Sequence, residues 1–174
     1  MVDLHPHSLA WADDYRREAE RLATALGPRV DALEHIGSTA VPGLLAKPII
    51  DVAARSSSGS DPFALGTDLI ALGYERHATG PKTHAVYVRL DGTRRTHILH
   101  VFHPDQWDAC NQRLFRDRLL RDPVARRRYA TLKEALAGLD DGRAYTAAKT
   151  ALIAELVTDE RVARGLPAVT VWDK

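Results

Sequence analysis

Residues 34–52, EHIGSTAVPGLLAKPIIDV, hold the densest set of side chains with chemistry to offer. Gly37 lets a backbone come close to a bound group. Ser38 and Thr39 carry hydroxyls, and their N–H groups suit phosphate oxygens where a helical turn begins. Lys47 can neutralise phosphate charge, and Asp51 offers a carboxylate to a hard cation such as Mg²⁺. An ionised acid beside Ile49, Ile50 and Val52 is costly to bury alone, so Lys47 or a cation is expected next to it. His35 is placed either to orient this loop or to touch a substrate.

The second group lies in the run THILHVF, with His97 and His100 three residues apart. On a regular strand an odd separation sends side chains to opposite faces. Without a bulge the two cannot ligate one metal; one is expected in the cleft as acid/base or phosphate partner, the other packed away. Lys82, His84, Arg94 and Arg95 surround the same run and predict a cationic rim suited to an anionic ligand. Three further sets read as structural. The arginines from Arg113 to Arg128 scatter around helices among acids, as a solvated face does. Tyr129 with Lys133, and Tyr145 with Lys149, stand four apart on helices, with each tyrosine expected in the core and each lysine reaching to water. Cys110, the single cysteine, has no acid–base pair beside it in the sequence to make a reactive thiol.

These residues need elements to carry them. Ser8 followed by apolar Trp11, Tyr15, Leu22 and Leu26 predicts a helix over 8–26, closed by Gly27-Pro28. Strands are expected at 30–36 and 48–54, and a helix at 61–72 ending on Gly73. Asp91-Gly92-Thr93 joins strand-like runs at 84–90 and 95–103 into a hairpin. Helices follow at 106–121, at 124–137 (ending at Gly138 after the break at Asp122-Pro123) and at 143–157, then an extended tail from Asp159 that includes Val169–Trp172. This order predicts one α+β domain over 1–174, a mixed sheet followed by a helical C-terminal third.

Lys plus Arg number 24 against 23 Asp plus Glu, a net charge of +1, which excludes a polybasic nucleic-acid arm and an acidic disordered chain. A lone cysteine, no leader-like start and no long apolar run predict a cytoplasmic protein without a membrane partner.

The segments EHIGST, VPGL, AKPIID, RTHILHVF, FRDRLLRDP, YATLKEAL and AYTAAK, with Trp11 ahead of them, stand in an order that resembles the GrpB-like family of the nucleotidyltransferase superfamily, over about residues 5–157. The resemblance implies a nucleotidyltransferase-like α+β fold. The superfamily's chemistry holds two metal ions with two acids one residue apart on a strand. Here Asp51 has Ala53 as its would-be partner, so one divalent cation, Mg²⁺ or another, would rest on Asp51 with help from Glu34. Ile98 stands where the family usually has a histidine, and Leu90 where a lysine is typical. The resemblance also draws Arg89 and Arg116 toward the ligand, the latter through the FRD motif. The expected site is therefore Asp51 and His100 as catalytic groups, Asp51 and Glu34 for metal, and Gly37, Ser38, Thr39, Lys47, Arg89, Arg95, His97 and Arg116 for phosphate. The expected ligand is a phosphorylated small molecule, a nucleotide first, with no nucleic acid as partner. The activity is either a nucleotidyl-type transfer or binding by a degenerate, non-catalytic module, or another condensation on the same scaffold.

Overall fold

The computed structural model describes residues 3–137 and 142–168. The elements in order are α1 (Ala10–Leu26), β1 (Val30–Ile36), β2 (Ile50–Ser56), α2 (Gly66–Leu69), β3 (Tyr74–Arg76), β4 (Ala85–Asp91), β5 (Arg94–Phe102), α3 (Asn111–Arg121), α4 (Pro123–Leu136) and α5 (Gly142–Ala163). The five strands form one mixed sheet in the order β1-β2-β5-β4-β3. Only β2 and β5 run parallel; the other pairs are antiparallel. The α+β expectation with a helical C-terminal third holds. No helix among the described residues is long and apolar enough to cross a membrane.

Alternation along the strands divides the interior into layers. Val52, Ala54, Leu99, Val101 and Tyr87 face α1 and the segment after β2, packing on Leu22, Leu26, Leu65 and Leu69. Each buried leucine there contributes about 1.5–3 kcal/mol of hydrophobic transfer. Tyr87 is pinned within this layer, donating to Pro62 O at 2.8 Å and accepting from Leu65 N–H at 3.2 Å. The opposite face carries Ile36, Ala53 and Phe102 against Trp107 and Cys110. Beyond it the three C-terminal helices build their own core around Phe115, Leu119, Tyr129, Ile153 and Leu156.

Several boundaries differ from the sequence reading. The stretch 61–72 is a broken helix, with tight 3-10 turns at Pro62–Ala64 and Ile70–Leu72 around the four-residue α2. Gly73 does close it, with φ 80°. The sequence reading lacked β3, which is three residues long, too short for an alternation pattern to show. The second strand is 50–56, because Pro48 has no N–H for the ladder. The break between α3 and α4 is where Asp122-Pro123 predicts it: Asp122 accepts from Val124 and Ala125 N–H at 2.8 and 3.1 Å. The last helix continues to Ala163, so residues 159–163 are helical and not extended. Glu160 is fully buried there and held by Arg121 and by Arg164, the latter at 2.7 Å. Gly138 and Val169–Trp172 lie outside the described residues.

Candidate functional site

Gly37 ends β1 with φ 72°, a conformation only glycine enters readily. A Cβ on it would stand 2.3 Å from Asp51 Oδ2, so the bend and the carboxylate are in direct contact. Register explains the approach, since Ile36 pairs with Asp51 across β1 and β2. On the other side Asp51 pairs with Ile98 and Ala53 with His100, which puts Asp51, Ile98 and His100 on one face. That face opens onto a cavity of about 700 Å³ shared by Gly37, Ser38, Asp51, Arg95 and His100 with Lys47.

The opposite wall comes from α4 and α5. Tyr129, Lys133, Tyr145 and Lys149 all line the cavity, and with Lys47 and Arg95 they bring four cationic side chains to it. The lysines do not reach for bulk water as their spacing had suggested. Lys133 and Lys149 are only 2% and 7% exposed. Aromatic faces compensate their burial: Lys149 Nζ lies 4.0 Å and Lys47 Nζ 5.1 Å from the Tyr145 ring centre, and Lys133 Nζ 5.4 Å from that of Tyr129. Lys133 also donates to Leu45 O. Burial pushes the Tyr145 phenol up to about 12, and burial first, then Tyr145, raises Tyr129, whose hydroxyl is hydrogen-bonded to Ser38. Both tyrosines are neutral at neutral pH. The repeated pattern Tyr-x-x-x-Lys was the legible trace of this wall, but nothing local says that two helices bring it over Asp51.

Other expected residues have partners of their own. Thr39 lines the cavity, while its hydroxyl donates to Ile49 O at 3.1 Å and meets His35 Nε2 at 3.0 Å, which fastens the turn. Because the threonine proton goes to Ile49, His35 donates from Nε2. Burial, then Arg116, lowers His35 to about 4, and its ring stacks on Tyr15 at 4.7 Å. Glu34 is on the Asp51 face but bonds Arg113 at 2.8 Å and Arg116 at 2.7 Å. Burial pushes this carboxyl up, and the two guanidiniums outweigh it and hold it below the usual range. Arg116 is consumed by Glu34, Asp117 and His35 O, away from the cavity. Glu34 and Arg116 therefore clamp α3 to β1 and stand outside the lining of the cavity.

Arg89 and His97 face the other side of the sheet, because His97 pairs with Ile50 and not with Asp51. Arg89 bonds Glu18 at 2.8 and 2.9 Å and approaches His97 at 2.8 Å, while Tyr74 donates to Glu18 at 2.9 Å. Burial, then Arg89, lowers His97 to about 4. Both residues belong to this network behind the sheet, where they line a separate cavity of about 440 Å³ with Glu18, Arg21 and Arg94. Arg95 nonetheless reaches the cavity, since a register shift between Arg89 and Leu90 opposite it breaks the alternation with His97.

A resident divalent cation fits these donors poorly. Hard cations take six or more oxygens, often several from carboxylates. Ala53 supplies none, Glu34 is paired to arginines, and no three His, Cys, Asp or Glu residues cluster for a metal among the described residues.

The GrpB protein family profile matches residues 1–159. The chain is 38% identical over 162 residues to the UPF0157 protein of Pseudomonas aeruginosa, covering 90% of this chain and 66% of that one. Against the glutamate-rich protein GrpB of Alkalihalophilus pseudofirmus it is 30% identical, covering 91% of this chain and 95% of the relative. The chain spans only 40% of the UPF0157 protein YqkA of Bacillus subtilis, which is 32% identical over 136 residues. Among solved structures, conserved protein GrpB from Enterococcus faecalis superposes with a TM-score of 0.83 at 27% identity, over 94% of this chain and 99% of that one. Sequence profile, relatives and fold agree: the chain belongs to the GrpB family.

Proposed function

We propose that the cavity over Asp51 binds a phosphorylated small molecule, a nucleotide in first place. The observation that carries this reading is the convergence of Lys47, Lys133, Lys149 and Arg95, from four separate segments, on one cavity that also holds the Gly37–Ser38 bend. Four cations in a partly apolar hollow supply the charge that two or more phosphates need, and in lowered dielectric each counts for more than at a surface. Ile36, Ile49, Ile98 and Phe115 give an apolar wall wide enough for a ring system. Asp51, against Gly37, supplies the acceptor that a ligand hydroxyl or amino group needs.

Calorimetric titration with ATP tests the reading. The full chain binds, and Lys149→Met weakens binding tenfold or more, about 1.4 kcal/mol. Asp51→Ala weakens it as well. ATP failing to bind, or binding equally to all three chains, overturns the proposal.

Ala53 favours a second reading, a module that binds without turning over, because the paired acids of nucleotidyl transfer are reduced to one. Incubation with nucleoside triphosphates and Mg²⁺ or Mn²⁺ separates the two: pyrophosphate release supports transfer, and binding without release supports the module.

A further inference from the structure

His100 Nδ1 lies 3.0 Å from His84 Nε2, and His84 Nδ1 lies 3.2 Å from Thr83 Oγ1. His100 lines the cavity, His84 is 3% exposed and stacked on Phe102 at 4.4 Å, and Thr83 is exposed at the surface. A hydrogen bond between two imidazole nitrogens contains one proton, so only two neutral arrangements keep this chain intact. In the first, His100 carries its proton on Nδ1 and gives it to His84 Nε2, while His84 Nδ1–H donates to Thr83. In the second every bond is reversed: Thr83 donates to His84 Nδ1, His84 Nε2–H donates to His100 Nδ1, and His100 carries its proton on Nε2.

We infer that Thr83, His84 and His100 form a proton relay between the cavity and bulk water. The two arrangements are its two ends. An acidic group bound in the cavity loses a proton to His100 Nε2; the Nδ1 proton of His100 passes to His84 Nε2. The Nδ1 proton of His84 passes to Thr83, whose own hydroxyl proton leaves to water. One proton moves from ligand to solvent, no ring gains net charge, and nothing is oxidised or reduced. Burial of His84 favours transit over storage, since a charged ring there forfeits its hydration. Asp51, Lys47, Lys133, Lys149, Arg95 and His77 line the same cavity and set the field at its inner end. The relay deepens the ligand-binding reading by giving the bound molecule an acidic or hydroxyl group from which His100 takes a proton. His84 is the positioning residue that sets which nitrogen of His100 carries the proton.

The test is nitrogen NMR of the histidine rings in the isotope-labelled full chain at constant pH. A scalar coupling across the N–H···N bond is expected between His84 and His100, with both tautomers of each ring in exchange. Thr83→Val, an exposed and isosteric change, leaves that coupling and slows the exchange tenfold or more. His84→Phe abolishes the coupling and leaves His100 in a single tautomer. Rings without mutual coupling in the native chain, or an exchange rate unmoved by Thr83→Val, overturn the relay. ATP titration of the same sample judges the cavity separately, so absent binding with coupled rings sinks the ligand reading and spares the relay.

Discussion

Gly37 and Asp51 are so close that position 37 has no room for a side chain while the carboxylate is in place. Gly37→Ala forces a methyl group into the carboxylate and holds alanine at positive φ. The expected cost is about 1–3 kcal/mol in urea unfolding, with ATP affinity lost along with the displaced Asp51. His35 and His97 act on stability through pH. Both are lowered to about 4 by burial, with Arg116 and Arg89 respectively adding to it. An unfolded histidine titrates near 6.5. Between these values the unfolded chain takes up protons that the folded chain refuses, so stability falls as pH drops from about 6.5 toward 4. The melting temperature should decline over that window, and the chain carrying both His35→Gln and His97→Gln should decline less steeply.

At the scale of elements, the C-terminal helices depend on ion pairs for their seat. Glu160 joins α5 to Arg121 of α3 and to Arg164, while Asp117 of α3 also takes Arg164 at 2.8 Å. Glu34 fixes α3 to β1 through Arg113 and Arg116. Removing one partner of a buried pair usually costs about 3–5 kcal/mol, but Arg121 is more than half exposed and regains water. Glu160→Gln is therefore expected to cost about 1–2 kcal/mol in urea unfolding. Hydrogen exchange should rise first along α5, and ATP affinity should weaken because Lys149 rides on that helix. Unchanged exchange in α5 would separate this pair from the seating of the helix.

For the molecule as a whole, the cavity is walled by the sheet on one side and by α4 and α5 on the other. A ligand seated there ties the two layers together and shifts unfolding by mass action. At a hundredfold excess over the dissociation constant the gain is about 2.7 kcal/mol, which for a chain of this size raises the melting point by about 5–10 °C. Added salt should shrink that shift, since four cationic groups carry the attraction. A thermal-shift series with ATP at rising sodium chloride checks both statements, and a shift insensitive to salt would count against phosphate as the recognised group.

Much was legible in the sequence because it depends on neighbours in the chain. The Asp91-Gly92 hairpin, the Asp122-Pro123 break and the opposite facing of His97 and His100 follow from turn chemistry and strand alternation. The Gly37 bend and Asp51 were legible as candidates, while their contact rests on the register between β1 and β2. Which charges met which was not, because pairing is set by contacts between distant segments. Glu34 reaches Arg113 across 79 positions, Arg89 reaches Glu18 across 71, and Lys133 reaches Leu45 across 88. Spacing places Tyr and Lys on one side of a helix; only the packing of α4 and α5 over the sheet decides whether that side meets water or Asp51. The sequence determined four of the five strands, the bend and the acid, and the tertiary structure alone decided that buried lysines, and neither Glu34 nor Arg116, share the acid's cavity.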